Sequence, residues 1–206
     1  QNGNLGGIKG ADAKCQADAK KYNKPGLWRA LLGTKSKSVQ SFFTGSQASS
    51  LKVYNSKNEL MADNWNAFMK FNTRKQTYFY AFQGRKVDEG TGASPEWADA
   101  DMWSGASNTG GTTSNTCNDW TSSLTTSTGC ANEIDSTQTF CQESYHKCNE
   151  NLAVLCVQYS TAQTVPPTTT APISSPLTKI VVSALSNGQN GNLGGIKGAD
   201  AKCQAD

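Results

Sequence analysis

Small apolar residues open the pattern. In GADAKCQADAKK, residues 10–21, Ala11, Cys15 and Ala19 fall four apart with polar residues between them, which places all three on one stripe of a helix. The glycine-rich GNLGGIKG ahead of it reads as a turn that lets this helix pack closely. LWRALLGT (27–34) predicts a buried strand, and NELMADNWNAFM (58–69) a second helix with Leu60, Trp65, Phe68 and Met69 inward. YFYAFQGRKV (78–87) predicts a hairpin turning at Gln83-Gly84, and the near-continuous apolar run of NLAVLCVQY (151–159) a buried closing strand. Two early helices followed by short strands and long loops predict an α+β fold with a mainly antiparallel sheet.

Beyond residue 158 the pattern stops. STAQTVPPTTTAPISSPLT (160–178) holds four of the six prolines and no charge, so it cannot bury apolar surface and reads as an extended, semi-rigid linker. Extended at about 3.1 Å per residue it reaches on the order of 50–60 Å. Thr164, Thr168, Thr169, Thr170, Ser174 and Ser175 are its candidate O-glycan acceptors.

After the linker comes KIVVSAL, whose β-branched run (Lys179, Ile180, Val181, Val182, Ser183, Ala184, Leu185) predicts a strand, and then the turn-prone SNGQNGN. Residues 189–206, QNGNLGGIKGADAKCQAD, repeat residues 1–18 without a change. Only residues 1–188 are therefore independent sequence, and the organisation expected is a domain (1–158), a linker (159–178) and the first strand and opening motif of a further repeat (179–206).

The cysteine count changes its meaning with that repeat. Seven cysteines become six per period, Cys15, Cys117, Cys130, Cys141, Cys148 and Cys156, because Cys203 repeats Cys15. An even number without a CxxC spacing favours disulfides over zinc, and with them an oxidising, extracytoplasmic setting. Five Trp, seven Phe and six Tyr offer a core despite a hydrophobic fraction of 36%. A net charge of +3, with no face crowded by Lys and Arg, argues against nucleic acid. No apolar run reaches the roughly 20 residues that span a bilayer, and no signal peptide opens the sequence.

Seven ordered blocks, GNLGGIKGADAKC, LWRALL, NSKNELMADNWNAFM, YFYAFQGRKV, SPEWADADMWSGASNTG, CNDW and CNENLAVLC, resemble endostatin-like domains, a branch of the C-type lectin-like fold that includes the leptospiral endostatin-like surface proteins. The resemblance runs from about Gly3 to Val157. It implies a Cys15–Cys156 bridge between first helix and closing strand and a nested Cys117–Cys148 bridge, which leaves Cys130 and Cys141 for each other. It also implies that first and last strands lie side by side, with KIVVSAL and NLAVLCVQ the candidates.

The chemistry-bearing residues point away from catalysis. His146 is the sole histidine, two residues before Cys148, and a structural role suits it better than that of a general base. The His-rich N-terminus through which vertebrate endostatin holds zinc has no counterpart here, and the EPN or QPD and WND signatures of calcium-dependent lectins are replaced by SPEW and CNDW. Asp88, Glu89, Asp99 and Asp101 are weak Ca²⁺ candidates, since unpaired loop carboxylates are the commoner state. Glu96, Asp99 and Asp101 beside Trp97 and Trp103 suggest a glycosidase pair only superficially, because the resemblance assigns both tryptophans to packing. Three arginines, Arg29, Arg74 and Arg85, do not make a heparin site.

The expectation is an extracellular or cell-surface protein without catalytic residues, metal or cofactor, whose partners are identical copies of itself. Its repeats would form a filament or stalk through the linker and strand 179–185, that strand completing the neighbouring domain by tandem repetition or strand exchange. The alternative is an adhesin or lectin-like module whose loops, Gly90 to Asn132 above all, recognise a glycan or matrix protein.

Overall fold

The computed structural model of the chain describes residues 1–70, 74–75, 78–87, 101–133, 141, 145–161 and 176–186. Helix α1 spans Gly7–Lys21, entered through Gly6 at φ 81°, and its stripe Ala11, Cys15 and Ala19 is wholly buried. Strand β1 (Leu27–Ala30), a 3-10 turn at Gln40–Phe42, helix α2 (Gly45–Ser50), and strands β2 (Val53–Asn55) and β3 (Leu60–Ala62) follow, and helix α3 (Trp65–Met69) comes after them. Strands β4 (Phe79–Tyr80) and β5 (Lys86–Val87) form a small hairpin. At its tip, Gly84 adopts φ 86°, a left-handed conformation that glycine reaches without a steric penalty. Strands β6 (Asp101–Trp103), β7 (Thr128–Glu133), β8 (Tyr145–Lys147), β9 (Ala153–Ser160) and β10 (Ile180–Ala184) complete the described elements.

The segment 58–69 is not one helix. Asn58 takes φ 66°, and Asn55 Oδ1 accepts the N–H groups of Lys57 and Glu59, making a turn that sends Leu60–Ala62 back along β2 as β3. Asn64 then caps a new start, its side-chain oxygen accepting Ala67 N–H at 2.9 Å, so the helix begins only at Trp65. Trp65, Phe68 and Met69 are inward, whereas Leu60 is half-buried. Local capping chemistry thus overrides a four-residue apolar spacing that a strand and a short helix satisfy together.

The main sheet is mixed, in the order β3-β2-β10-β9-β6-β7-β8, with β1 also on β9. Strand β9 is its axis: β10 lies antiparallel along one edge, while β1 (antiparallel) and β6 (parallel) share the other. The sheet divides two cores. On one side Phe43, Met61, Trp65, Phe68 and Phe79 pack with Val157, Ile180, Val182 and Ala184. On the other, α1 packs with Trp28, Phe82, Trp103, Trp120, Val154 and Leu185, and this core contains Cys15, Cys117, Cys148 and Cys156.

Candidate functional site

Strand β10 is inserted deep in the sheet rather than laid on its edge. Its register is parallel to β2, with Ile180 opposite Val53 and Val182 opposite Asn55, and antiparallel to β9, with Val182 opposite Val157 and Ala184 opposite Leu155. Ile180, Val182, Ser183 and Ala184 are fully buried. Both ladder edges are thereby satisfied, so removing the strand would bare two rows of backbone donors and acceptors at once.

Each end of the strand is fastened by side chains. At the start, Ile180 N–H donates to Lys52 O at 2.9 Å, and Lys179 Nζ donates to Asn58 Oδ1 at 2.5 Å while lying 5.3 Å from the centre of the Tyr54 ring. At the finish, Asp18 Oδ2 on α1 accepts Ser186 N–H at 2.6 Å. Gln83 brackets the same residue, its N–H donating to Ser186 Oγ and its Nε2 to Ser186 O, both at 3.2 Å. Midway, Ser183 Oγ donates to Tyr80 O at 2.9 Å.

Residue 1 continues the row. Leu185 N–H donates to Val154 O, and two residues earlier, just ahead of β9, Leu152 exchanges both backbone bonds with Gln1, at 2.8 and 3.0 Å. Trp103 Nε1 donates to Gln1 O at 2.7 Å.

The other candidates sort differently. Cys15–Cys156, Cys117–Cys148 and Cys130–Cys141 are bonded, with Cα–Cα distances of 5.7, 5.6 and 5.3 Å. His146 on β8 bridges two carboxylates, Nε2 to Asp101 Oδ2 at 2.9 Å and Nδ1 to Glu150 Oε2 at 2.7 Å. The hydrogen bond to Asp101 is the main cause that raises its pKa to about 9, against burial and with help from Glu150. At neutral pH it is an imidazolium clamp joining β8 to β6, not a base. Asp101 is thus engaged with a cation of the protein itself, and among the described residues no group of three or more His, Cys, Asp or Glu is placed to hold a metal.

Arg74 is half-buried, its guanidinium 4.2 Å from the Phe68 ring centre, and loss of water around that guanidinium lowers its pKa to about 9. Arg29 lies 4.2 Å from the Phe42 ring centre with Nη2 donating to Phe42 O. Neither is presented as part of an anion-binding surface. Asp88, Glu89, Glu96, Trp97, Asp99, Cys203 and the six candidate glycan acceptors lie outside the described residues.

Sequence reasoning missed the conformation of CNDW. Cys117, Asn118, Asp119 and Trp120 have φ of 49, 56, 51 and 67°, a left-handed turn that costs about 1–2 kcal/mol per residue. Side chains hold it in place: Thr116 Oγ1 accepts Asp119 N–H, Asp119 Oδ1 accepts Lys35 N–H, and Trp120 Nε1 donates to Gly33 O. The Asn-Asp pair, tolerant of this region, was the available signal.

A mixed sheet between two cores, few helices and three nested bridges define a disulfide-stabilised α+β module of the C-type lectin-like fold. The chain belongs to the endostatin family: the family described as Collagenase NC10 and Endostatin matches residues 1–162. The human collagen alpha-1(XVIII) chain is a relative, 24% identical over 163 residues, covering 77% of this chain and 9% of the human protein. The chain thus spans under a tenth of that relative's length. The family match ends at residue 162, so β10, which fills the middle of the sheet, lies beyond it. No helix among the described residues is long and apolar enough to cross a membrane.

Proposed function

We propose that this chain is an extracellular structural module that joins copies of itself, each sheet being completed by a strand equivalent to β10 carried on the Thr/Pro linker. The observation that carries this reading is the seat itself: a central strand, paired on both edges, which in the sequence follows a Thr/Pro-rich stretch and precedes a second copy of the opening motif. A strand held this way makes the same contacts whether it comes from its own chain or from a neighbour. The choice is set by effective concentration and linker geometry. Strand addition is an established mode of joining chains, in which the backbone ladder supplies affinity and alternate side chains supply register.

The test is deletion of Lys179–Leu185 from chains that assemble. Images and native mass should change from linked particles to separate, partly opened domains. Only single domains before the deletion, or unchanged assembly after it, would sink the reading.

Ligand display by the disulfide-braced end is a second reading, favoured by the exposure of Leu124 (63%) and Tyr145 (58%), the two most exposed large apolar side chains described. A glycan and matrix-protein array, with and without Ca²⁺, separates it from a purely structural role.

A further inference from the structure

Strand β1 has one edge on β9, and among the described residues no strand pairs with the other. That outer edge is not bare, because α1 covers it with side chains. Trp28 N–H donates to Gln16 Oε1 and Ala30 N–H to Asp12 Oδ1, both at 2.8 Å. Gln16 Nε2 also donates to Gly26 O at 3.3 Å. The Gln16 amide thus accepts from Trp28 and donates two residues earlier, as a residue of a parallel neighbouring strand does.

Spacing lets a helix do this. Residues 12 and 16 lie about 6 Å apart along a helix axis, and residues 28 and 30 about 6.8 Å apart along a strand, so one turn of α1 keeps step with two residues of β1. Ala11, Cys15 and Ala19 do the packing of α1, and Asp12 and Gln16 lie half-buried beside them. Cys15, between the two on the helix, bonds Cys156, which lies opposite Ala30 in the β1–β9 register. The bridge therefore fastens α1 over β1.

We infer that Asp12 and Gln16 are guard residues: they hold the outer edge of β1 as a surrogate strand and keep a second copy of this chain from pairing its own β1 there. An unguarded strand edge is a template for another chain. The like edge fits it because Trp28 and Ala30 each turn a backbone donor and acceptor the same way. Two copies of β1, antiparallel about a two-fold axis at Arg29, pair Trp28 of one with Ala30 of the other, twice over. Trp28 and Ala30 are buried, so this pairing requires α1 to tilt off the edge, and each guard bond raises the cost of that tilt. The inference goes beyond strand sharing through β10 and stands without it.

The experiment compares the full chain with the double variant Asp12→Leu, Gln16→Leu, which keeps bulk on the helix and removes both acceptors, and with Asp12→Asn, which keeps a carbonyl in place. Disulfide mapping checks that the three bridges form. Sedimentation over a concentration series gives the mass, and hydrogen exchange gives the state of the two amides. At dilution the Trp28 and Ala30 amides of the double variant are expected to exchange about tenfold faster than in the parent, because each has lost its acceptor. On concentration, a species heavier than any the parent makes should form, and in it both amides should slow again. Asp12→Asn should behave as the parent does. Unchanged exchange at dilution, fast exchange without added association, or added association with both amides still fast would each overturn the inference. If the double variant does not fold, Gln16→Leu alone, which leaves Asp12 in place, is read at Trp28 by the same outcomes. Whether the parent itself is single or linked tests strand sharing through β10 and not this guard.

Discussion

The two faces of the sheet are held by different means. The face under α1 contains four buried cysteines in two bridges, and one of these ties residue 15 to residue 156 across most of the chain. The opposite face, built on Trp65, Phe68, Phe79 and Met61, contains no cysteine and takes Ile180, Val182 and Ala184 from β10 as part of its filling. One core is closed covalently; the other is closed by a strand that arrives last and is held by burial and hydrogen bonds. A non-covalent closure can be reopened at equilibrium, which is what the proposed joint between copies would require. The bridge-bearing segment lies within the family match while β10 lies beyond it: the fold's brace and its closing strand are separate parts of the chain.

The severest way to break the contrast is Val182→Asp. The side chain is fully buried among apolar neighbours, and an unpaired carboxylate there costs several kcal/mol, comparable with the whole stability of a small domain. The expected outcome is loss of the near-UV signal from the Trp65 side with all three disulfides still mapped intact. If the α1 face melts together with it, the two cores are one cooperative unit and the comparison fails.

Next comes the paired change Cys15→Ser with Cys156→Ser, expected to cost about 2–5 kcal/mol by freeing the unfolded chain. Denaturant unfolding should show the loss, and hydrogen exchange should place the increased opening in α1 and β9 rather than in the amides of β2 and β3. Protection lost equally on both faces would erase the distinction.

Much of this architecture could be read before any coordinates. The Ala11-Cys15-Ala19 stripe, the Gln83-Gly84 turn and the apolar closing strand each rest on local chemistry, and the structure shows all three. The helix expected over 58–69 failed because two asparagines, at 58 and 64, punctuate it, one by a left-handed turn and one by a cap; apolar spacing alone does not register either. The seat of β10 was legible as a strand but not as a place, since the Thr/Pro-rich sequence before it carries no pattern that names its partner. The alignment of Gln1 with that strand depends on counting hydrogen bonds along β9, and the His146–Asp101 pair joins distant strands with no spacing to announce it.

A smaller and sharper probe is Asp18→Ala. It removes the acceptor for Ser186 N–H at the exit of β10, a charge-assisted bond worth about 1.5–3 kcal/mol. Asp18 lies on the helix of the braced core but fastens the strand of the other. The variant should therefore speed exchange of the β10 amides several-fold while Cys15–Cys156 and α1 remain protected. Faster exchange in α1 with β10 unchanged would show that the carboxylate serves the helix instead.

The smallest effect belongs to the braced face, where His146 clamps β8 to β6. Its pKa rises from 6.5 to about 9 on folding because the imidazolium donates to Asp101, so folded protein binds the proton more tightly than unfolded protein does. The contribution to stability is therefore complete below pH 6.5 and is lost as pH rises through about 9. His146→Gln, which can keep one hydrogen bond but not the charge, should lower stability by about 1 kcal/mol at pH 6 and very little at pH 10. Urea unfolding at the two pH values measures the difference. Exchange at β7 and β8 should respond and exchange at β10 should not, because the clamp and the strand lie on opposite edges of β9; a response at β10 would mean that the braced side controls the seat.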